Sequence, residues 1–330
     1  MKTHFTKKKI NRKAAEINDT GFGTQTPRQR SVNPDGTFNL TRTGLPLFRL
    51  DDLYTNLVTM KWRKFIPLVL AFYIFINLLF ACVYFFIGVE HLGGVSSVKP
   101  RDQFFDAFFF SAQTISTVGY GHISPQGFIT SLMAAFESLM GVIVFAVITG
   151  LLYGRFSAPK AKILYSDNAI IAPFKDGRAL MFRIANKRKN QLIEVEMEVT
   201  IGMNMIENDT VIRRFFSLKL ENRKINFFPL SWTIVHPITE ESPIYNFTQN
   251  DFEEADAEIV TLFKGFDDTY SQVVHSRKSF MYNEILWGKR FVSIIGQNED
   301  GKTTLALDRM NEMQNADLPL HLSLKESQAL

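Results

Sequence analysis

Residues 65 to 89 form an apolar run in which Asn77 is the only strongly polar side chain. A run of this length is sufficient for one helical crossing of the hydrocarbon core of a bilayer. Because no water is available there, the backbone must satisfy its own hydrogen bonds, which favours a helix. A second apolar segment, residues 127 to 156, has Glu137 as its only carboxylate. The sequence therefore predicts two transmembrane helices, at 65–89 and 127–156.

A shorter apolar and aromatic stretch, residues 104 to 116, lies between the two predicted spans. It is too short to cross a membrane, and this pattern is typical of a re-entrant helix. The stretch is followed by Thr-Val-Gly-Tyr-Gly at 117–121. Non-helical backbone at membrane depth is tolerated only where protein or water surrounds it, so residues 117–121 are predicted to line a cavity. We assign residues 103–121 as a pore helix with its filter.

The residue types at 117–121 suit a ring of backbone carbonyls that replaces the hydration shell of K⁺. Gly119 and Gly121 permit the positive φ angles that let successive carbonyls point at one axis. Thr117 adds a hydroxyl, while Val118 and Tyr120 brace the ring from behind. K⁺ is thus expected at Thr117 to Tyr120 as the permeant ion, without a cofactor. A plain glycine-rich turn before a helix is the alternative.

Basic residues flank both predicted spans on one side: Lys61, Arg63 and Lys64 precede the first, and Arg155, Lys160 and Lys162 follow the second. The positive-inside rule then places both chain termini in the cytoplasm. Cations at such a boundary attract anionic lipid. The predicted lipid-binding residues are Arg63, Lys64, Arg155, Lys160 and Lys162; simple obedience to the positive-inside rule is a compatible alternative.

The segments outside the spans have ordinary soluble compositions. Residues 1–44 are polar and basic without an apolar signal region, and we expect a mobile segment in which 32–40 is a candidate for extended docking. Residues 45–64 have apolar positions near helical spacing and are predicted to form an amphipathic helix at the membrane surface. An amphipathic helix packed on a soluble core is the alternative.

The C-terminal half changes to period-two patterning, which is strict from Ile193 to Ile201. Further short strands with turn residues between them predict an all-β, immunoglobulin-like sandwich at 157–310, followed by a tail at 311–330. The strands are expected at 178–186, 211–220, 231–236, 257–264, 270–280 and 290–295. An acidic group, Asp251, Glu253, Glu254, Asp256 and Glu258, is either a cation-attracting surface or a solvated edge.

Other function classes have little support. The net charge of +4 gives no nucleic-acid signal, and no nucleotide-binding glycine motif occurs. The single cysteine, Cys82, excludes an intrachain disulfide, and with His236 and His275 it forms no recognisable nucleophile or metal spacing. We therefore expect no enzyme. His275 is either a pH sensor or a hydrogen-bonded strand residue.

Taken together, these segments resemble the inward-rectifier potassium channels, and a bacterial member in particular, over roughly residues 30 to 300. The resemblance rests on the filter and on four further motifs. They are Leu53-Tyr54 with Trp62, Phe136-Glu137-Ser138-Leu139-Met140-Gly141, Arg155-Phe156-Ser157-Ala158-Pro159-Lys160-Ala161-Lys162-Ile163, and Gly265-Phe266-Asp267-Asp268-Thr269.

The resemblance implies a homotetramer in a bacterial inner membrane, with a hinge at Gly150, a constriction at Tyr153 and a second constriction at the Gly265 loop. Without it, a close helix contact, an interfacial aromatic and a plain hairpin are the alternatives. Phe145 stands where strong rectifiers carry an acid, which weakens the expected block by Mg²⁺ or polyamines.

Two further positions lie near the filter in this comparison. An ion pair found behind the filter in animal members is replaced by Gln113 and Ile123. Glu137 is expected either to hold the pore helix from behind or, on a pore-lining face, to serve as an ion or proton site.

The sequence thus predicts an inward-rectifier-type channel that conducts K⁺ passively. It is gated at the inner helix bundle and the cytoplasmic loop and modulated by anionic lipid. Two alternatives remain open: a membrane-anchored sensor whose pore scarcely conducts, and a weakly selective cation channel.

Overall fold

The computed structural model describes residues 16, 21, 30–41, 43–44, 52–157, 161–207 and 210–319. The described residues divide into a helical unit within 44–158 and a β domain that combines residues of 1–43 with residues of 159–330.

The helical unit contains four helices and one short β pair. Its elements are α1 (Leu53–Thr59), α2 (Trp62–Ile87), β1 (Leu92–Gly93), α3 (Pro100–Ile115), β2 (Ser124–Pro125) and α4 (Phe128–Phe156). Both α2 and α4 are long and apolar enough to cross a membrane, with mean hydropathies of 2.5 and 2.1. The helix α3 begins with a proline at its first position, where the missing N–H costs nothing.

The predicted surface helix at 45–64 is shorter in the structure. Helix α1 ends at Thr59, Met60 and Lys61 are extended with ψ of 142° and 141°, and Trp62 already begins α2. Residues 45–51 lie outside the described part of the chain. The expectation of one continuous helix was wrong at this break, because the extended backbone at Met60 and Lys61 interrupts the helical hydrogen bonds.

An apolar cluster joins α2, α3 and α4. It includes Phe80 and Tyr84 of α2, Phe110 and Ile115 of α3, and Ala134 of α4. The ring centroids of Tyr84 and Phe110 are 5.0 Å apart in an edge-on arrangement. This cluster fixes the short helix α3 between the two long helices.

The β domain is built from two five-stranded sheets with small additions. Its elements are β3 (Ile163–Tyr165), β4 (Ala169–Phe174), β5 (Gly177–Asn186), β6 (Leu192–Glu207), β7 (Thr210–Ser217), β8 (Lys224–Phe227), β9 (Ser231–Pro237), α5 (Gln249–Glu254), β10 (Glu258–Asp267), β11 (Gln272–Met281), β12 (Ile285–Trp287), β13 (Lys289–Phe291), β14 (Ile295–Gln297), β15 (Thr303–Leu305) and β16 (Met313–Asn315).

The first sheet has the order β11-β10-β6-β7, with β8 also paired to β6, and the second has β12-β4-β5-β3, with β9 also paired to β5. Apolar side chains of both sheets form one core. Phe182 of β5 and Phe280 of β11 lie across it with ring centroids 5.3 Å apart. The predicted fold class, two membrane helices with a short helix between them and a β-rich C-terminal domain, is confirmed.

The alternation predicted from Ile193 onward is interrupted near its start. Leu192 is buried but Ile193 is not, and Glu194 has a left-handed φ of 49°. The pairing of β6 with β10 shifts at this point, where Gly265 faces the extra residue of a β-bulge. Because of the extra residue in the bulge, Leu192 is buried in place of Ile193. The strict alternation of buried and less buried side chains begins at Val195.

Both ends of the β domain extend beyond their predicted limits. Strand β16 pairs with β13, so the domain continues past residue 310. Near the N-terminus, Arg30 binds both carboxylate oxygens of Glu284 at 2.9 Å, and the Ser31 amide donates to Glu258 at 2.8 Å. Val32 is fully buried. The part of the predicted mobile segment at 30–40 is therefore docked, as the expectation for 32–40 proposed.

Candidate ion-conduction site

The backbone at 117–121 alternates between two conformations. Thr117, Gly119 and Gly121 have left-handed φ angles of 58°, 52° and 78°, and Val118 and Tyr120 do not. Such alternation turns the carbonyl groups of successive peptides to the same side, whereas in a strand they point alternately to opposite sides. The threonine is strained in this conformation, which is rare for a β-branched residue.

Gln113, in the last turn of α3, holds the amide side of this segment. Its carbonyl oxygen accepts from the Val118 amide at 3.0 Å and from the Gly119 amide at 3.2 Å. Its side-chain Oε1 accepts from the Tyr120 amide at 3.2 Å. Because each peptide unit is planar and trans, the carbonyl preceding each of these amides points the opposite way. The carbonyls of residues 117, 118 and 119 therefore face away from α3.

The side chains at 118 and 120 contact little within their own chain. Val118 is 53% exposed and Tyr120 is 83% exposed. A β-carbon built on Gly119 or Gly121 meets no heavy atom within 4 Å. The glycines are thus required by their φ angles and not by crowding inside one chain.

The segment after the filter is clamped to the loop that follows α2. Strands β1 and β2 pair Leu92 with Pro125 and Gly93 with Ser124. A β-carbon on Gly94 would lie 1.9 Å from the carbonyl oxygen of His122, so only glycine fits there. This contact fixes the backbone one residue beyond Gly121.

Glu137 lies between α2, α3 and α4, and its side chain is fully buried. One oxygen accepts from the Tyr84 hydroxyl at 2.7 Å, and the other accepts from the Ser111 hydroxyl. Ser111 is also 3.2 Å from Oδ1 of Asn77. Glu137 belongs to α4, and the two hydroxyls that donate to it belong to α2 and α3. Its carboxylate therefore links all three helices on the side of α4 that packs against the other two.

The predicted gating residues Gly150 and Tyr153 lie in the C-terminal half of α4, as does Phe145, which stands where strong rectifiers carry an acid. Phe145 and Tyr153 are each 74% exposed, and Thr149 lies between them at helical spacing. Gly150 has open space where a β-carbon would project, so no close helix contact is found there within the described residues. Phe145, Thr149 and Tyr153 thus form an exposed stripe in a single chain, although other residues of α4, including Val142 and Val147, are exposed as well.

The predicted lipid-binding residues have different surroundings. Arg63 and Lys64 are exposed in the first turn of α2, and Lys162 is exposed beside β3, while Lys160 lies outside the described residues. Arg155 is instead engaged within the protein, since its guanidinium contacts carbonyls at the end of α1. Arg155 therefore differs from Arg63, Lys64 and Lys162, the three other candidates that the structure describes.

Gly265 is not in a loop. It is buried within β10, and the hairpin turn between β10 and β11 comprises residues 268–271. A β-carbon at Gly265 would lie 3.2 Å from a methyl carbon of Val195, in the bulge described above. The loop in which a second constriction was expected thus begins at Asp268, three residues after Gly265.

Two of the five members of the predicted acidic group, Asp251 and Glu258, do not lie at the surface, whereas Glu253 is exposed. Asp251 is buried and caps α5 in a reciprocal arrangement with Thr248. Glu258 is fully buried and paired with the equally buried Arg213 at 3.0 Å. Neither carboxylate is solvated or available to attract cations, because each is used to hold the β domain together.

The two histidines considered above differ in their environment. His275 is exposed on β11. His236 is buried: its Nδ1 lies 2.7 Å from the Lys219 carbonyl and its Nε2 lies 2.8 Å from the Ser242 hydroxyl. Burial lowers the pKa of His236 from 6.5 to about 4. His236 is therefore part of the hydrogen-bonded interior of the β domain, and no local sequence pattern predicted its burial.

These elements define a class: a two-helix potassium-channel pore with a β-rich C-terminal domain. Comparison with known families agrees. Residues 68–157 match the family model described as an ion channel, and residues 163–329 match the inward rectifier potassium channel C-terminal domain. The chain belongs to the inward rectifier potassium channel family.

Known relatives are found in bacteria and in animals. The chain is 36% identical to the inward rectifier potassium channel Kirbac3.1 of Paramagnetospirillum magnetotacticum, over 87% of this chain and 96% of that one. It is 26% identical to the ATP-sensitive inward rectifier potassium channel 12 of Gallus gallus, over 83% and 69%. It is 28% identical to the G protein-activated inward rectifier potassium channel 4 of Mus musculus, over 82% and 69%.

Proposed function

We propose that four copies of this chain assemble into a K⁺-selective channel that conducts passively along their common axis. The observation that carries the proposal is the line of carbonyls at residues 117 to 119, which face away from α3. Four such lines supply the oxygen cage that replaces the hydration shell of K⁺. The exposed Val118 and Tyr120 side chains are then covered by neighbouring copies.

Gating is assigned to the inner end of α4. Tyr153 closes the path where the four inner helices converge, Gly150 supplies the hinge, and the segment from Gly265 into the turn at 268–271 forms a second constriction. The exposed stripe at Phe145, Thr149 and Tyr153 leaves these side chains available to meet the other copies, as this assignment requires. The stripe carries no carboxylate, so Mg²⁺ and polyamines bind weakly in this part of the pore.

The membrane setting follows from the charges. We place both termini in the cytoplasm of a bacterium, with α2 and α4 crossing the inner membrane. Anionic lipid is the proposed modulator, bound through Arg63, Lys64 and Lys162, which are exposed, with Lys160 as a further candidate. Each cation near an anionic surface contributes about 1 kcal/mol.

The proposal is tested by isotope uptake into liposomes that contain the purified channel. We expect Rb⁺ to enter and Na⁺ to be excluded. Comparable uptake of both ions supports the weakly selective alternative, and absence of Rb⁺ uptake in a folded tetramer supports the sensor alternative. Native mass spectrometry of the same preparation measures the number of subunits.

Gly119→Ala provides an internal check on the filter. The new methyl group meets no atom of its own chain, but the φ of 52° is unfavourable for alanine. We expect loss of Rb⁺ over Na⁺ discrimination. The matched control is Gly177→Ala, where a β-carbon also meets nothing within 4 Å and φ is not left-handed.

A further inference from the structure

Arg155 is the last basic residue of α4, and its guanidinium is directed to the end of α1. Nη1 donates to the carbonyls of Leu57 and Val58, the latter at 3.0 Å, and Nη2 donates to the carbonyl of Met60 at 2.5 Å. These three acceptors leave little of the fork for solvent or lipid. Nε is buried without a hydrogen-bond partner among the described residues.

The carbonyls of Leu57 and Val58 belong to the last turn of α1, where a helix end leaves carbonyls unsatisfied, and that of Met60 belongs to the C-cap residue. Helix α1 ends at Thr59, and the extended Met60 and Lys61 remove the amides that would have bonded to Leu57 and Val58. The end of a helix also carries a partial negative charge, which favours a cation. Arg155 therefore caps α1 from a different helix.

Two aromatic rings and a glycine complete the contact. The guanidinium carbon lies 4.4 Å from the ring centroid of Trp62 and 4.2 Å from that of Phe65. One residue earlier, a β-carbon on Gly154 would lie 2.6 Å from the Tyr54 hydroxyl. The end of α4 and the side of α1 are thus in close contact at two successive residues.

We propose that Arg155 is a positioning residue that joins α1 to the inner end of α4, so that displacement of α1 is transmitted to Tyr153 two residues away. Only the effect of Arg155 on conduction rests on the proposed function. The contacts that join Arg155 to α1 exist whether or not the chain conducts ions. It removes Arg155 from the set of lipid-binding residues and gives it a mechanical role in the response to lipid.

Lysine and glutamine substitutions separate the two roles. Lysine keeps the charge but lacks the planar fork that reaches three carbonyls and two rings. If Arg155 binds lipid as a charge, Arg155→Lys retains the response of Rb⁺ uptake to anionic lipid and Arg155→Gln loses it. If Arg155 instead joins α1 to α4, both variants lose the response of Rb⁺ uptake to anionic lipid. We expect that response to be at least fivefold smaller in each. Arg63→Gln and Arg63→Lys are the matched controls, because Arg63 is exposed and is proposed to bind lipid through its charge.

A covalent replacement tests the joint directly. A β-carbon on Gly154 would lie 3.5 Å from a Val58 methyl carbon, so cysteines at these positions face each other. They are placed in a Tyr54→Phe background, because the Tyr54 hydroxyl would lie 2.6 Å from the new β-carbon. The double variant Val58→Cys/Gly154→Cys is made with Cys82→Ser, since Cys82 is the only native cysteine. The rate of disulfide formation in the full-length channel is measured by loss of reactive thiol.

We expect this rate to fall at least tenfold when Arg155 is replaced by lysine or glutamine, and to be unchanged by Arg63→Gln. Oxidation should also restore the lipid response of the Arg155→Gln channel, and reduction should remove it again. An unchanged rate, or a lipid response retained by Arg155→Lys, overturns the inference. Wild-type channel that takes up no Rb⁺ refutes the proposed function instead, and the disulfide rates still decide the joint.

Discussion

A β-carbon on Gly141 of α4 would lie 1.9 Å from the carbonyl oxygen of Ile115, the last residue of α3. The neighbouring Ser138 hydroxyl is 3.4 Å from the Thr114 carbonyl. Helix α4 thus supports the C-terminal end of α3, two residues before the predicted filter begins at Thr117, and the absence of a side chain at residue 141 sets the distance between the two helices.

Gly141→Ala is therefore expected to displace α3 from α4. The obstructing atom is backbone, so the strain cannot be relieved by a side-chain rotation, and overpacking of this kind costs roughly 1–3 kcal/mol. We expect a lower thermal midpoint of the solubilised channel and weaker Rb⁺ over Na⁺ discrimination. Gly150→Ala, where the space is open, should not lower the midpoint. Equal midpoints for the two variants contradict the proposed contact.

Glu137→Ala removes the acceptor of two buried hydroxyls, those of Tyr84 and Ser111. Each unsatisfied buried group costs about 1–3 kcal/mol. The thermal midpoint should fall further for Glu137→Ala than for Glu137→Gln, whose amide retains one acceptor. Adding Tyr84→Phe should recover part of the loss in the alanine variant. If Glu137→Gln instead abolishes Rb⁺ uptake at unchanged stability, Glu137 is an ion or proton site.

Tyr153→Ala is expected to raise basal Rb⁺ uptake, because the side chain projects from the exposed stripe of α4 and narrows the inner end of the path in the proposed tetramer. The control is Phe86→Ala, which truncates an aromatic side chain that is 86% exposed on α2. Unchanged uptake by a folded Tyr153→Ala tetramer contradicts this gate.

Arg30→Ala should release the N-terminal segment from the β domain. The substitution removes both bonds to Glu284 and a bond of 2.8 Å to the Ser279 hydroxyl. Hydrogen bonds to charged groups contribute about 1.5–3 kcal/mol. We expect amide hydrogen exchange at residues 31 and 32 to accelerate at least tenfold, while exchange in β5 is unchanged. Protection that survives in the variant shows that the contacts of Glu258 and Ser279 with residues 31 and 32 hold the segment without Arg30.

His236 should make the β domain sensitive to mild acid. Its folded pKa of about 4 lies below the ordinary value of 6.5, so protonation favours the unfolded state. The stabilisation is complete above pH 6.5 and is lost as the pH falls toward 4, by an amount on the order of 3 kcal/mol. Thermal midpoints of full-length channel should show this loss between pH 7 and 4. His236→Asn should remove that component, whereas His275→Asn at an exposed site should keep it.

Local patterns predicted a large part of this structure. The apolar runs around Asn77 and Glu137 identified α2 and α4, since a membrane span requires an uninterrupted apolar segment. The pattern at 117–121 predicted the left-handed φ angles found at Gly119 and Gly121, because few residues other than glycine adopt them. Alternation identified β6 except at Glu194, where a bulge depends on the partner strand and leaves no local signal.

Contacts between distant residues were not predictable in the same way. Arg155 was counted with the cations at the membrane boundary, because its charge and position fit that rule and nothing in sequence shows the open carbonyls of α1. Glu258 was grouped with its acidic neighbours, although Arg213 lies on another strand. In both cases the partner is chosen by tertiary packing, so composition alone predicts a solvated charge.

The exposed Tyr120 side chain has a thermodynamic consequence. Within one chain, Gln113 accepts hydrogen bonds from the amides of residues 118 to 120, but the Val118 and Tyr120 side chains are left uncovered. In the proposed tetramer the complete cage forms only on association, so K⁺ binds the assembled state and not the free subunit. By linkage, K⁺ must then favour assembly, and subunits should dissociate more readily when it is replaced by Na⁺. The permeant ion is in this sense also a structural ligand.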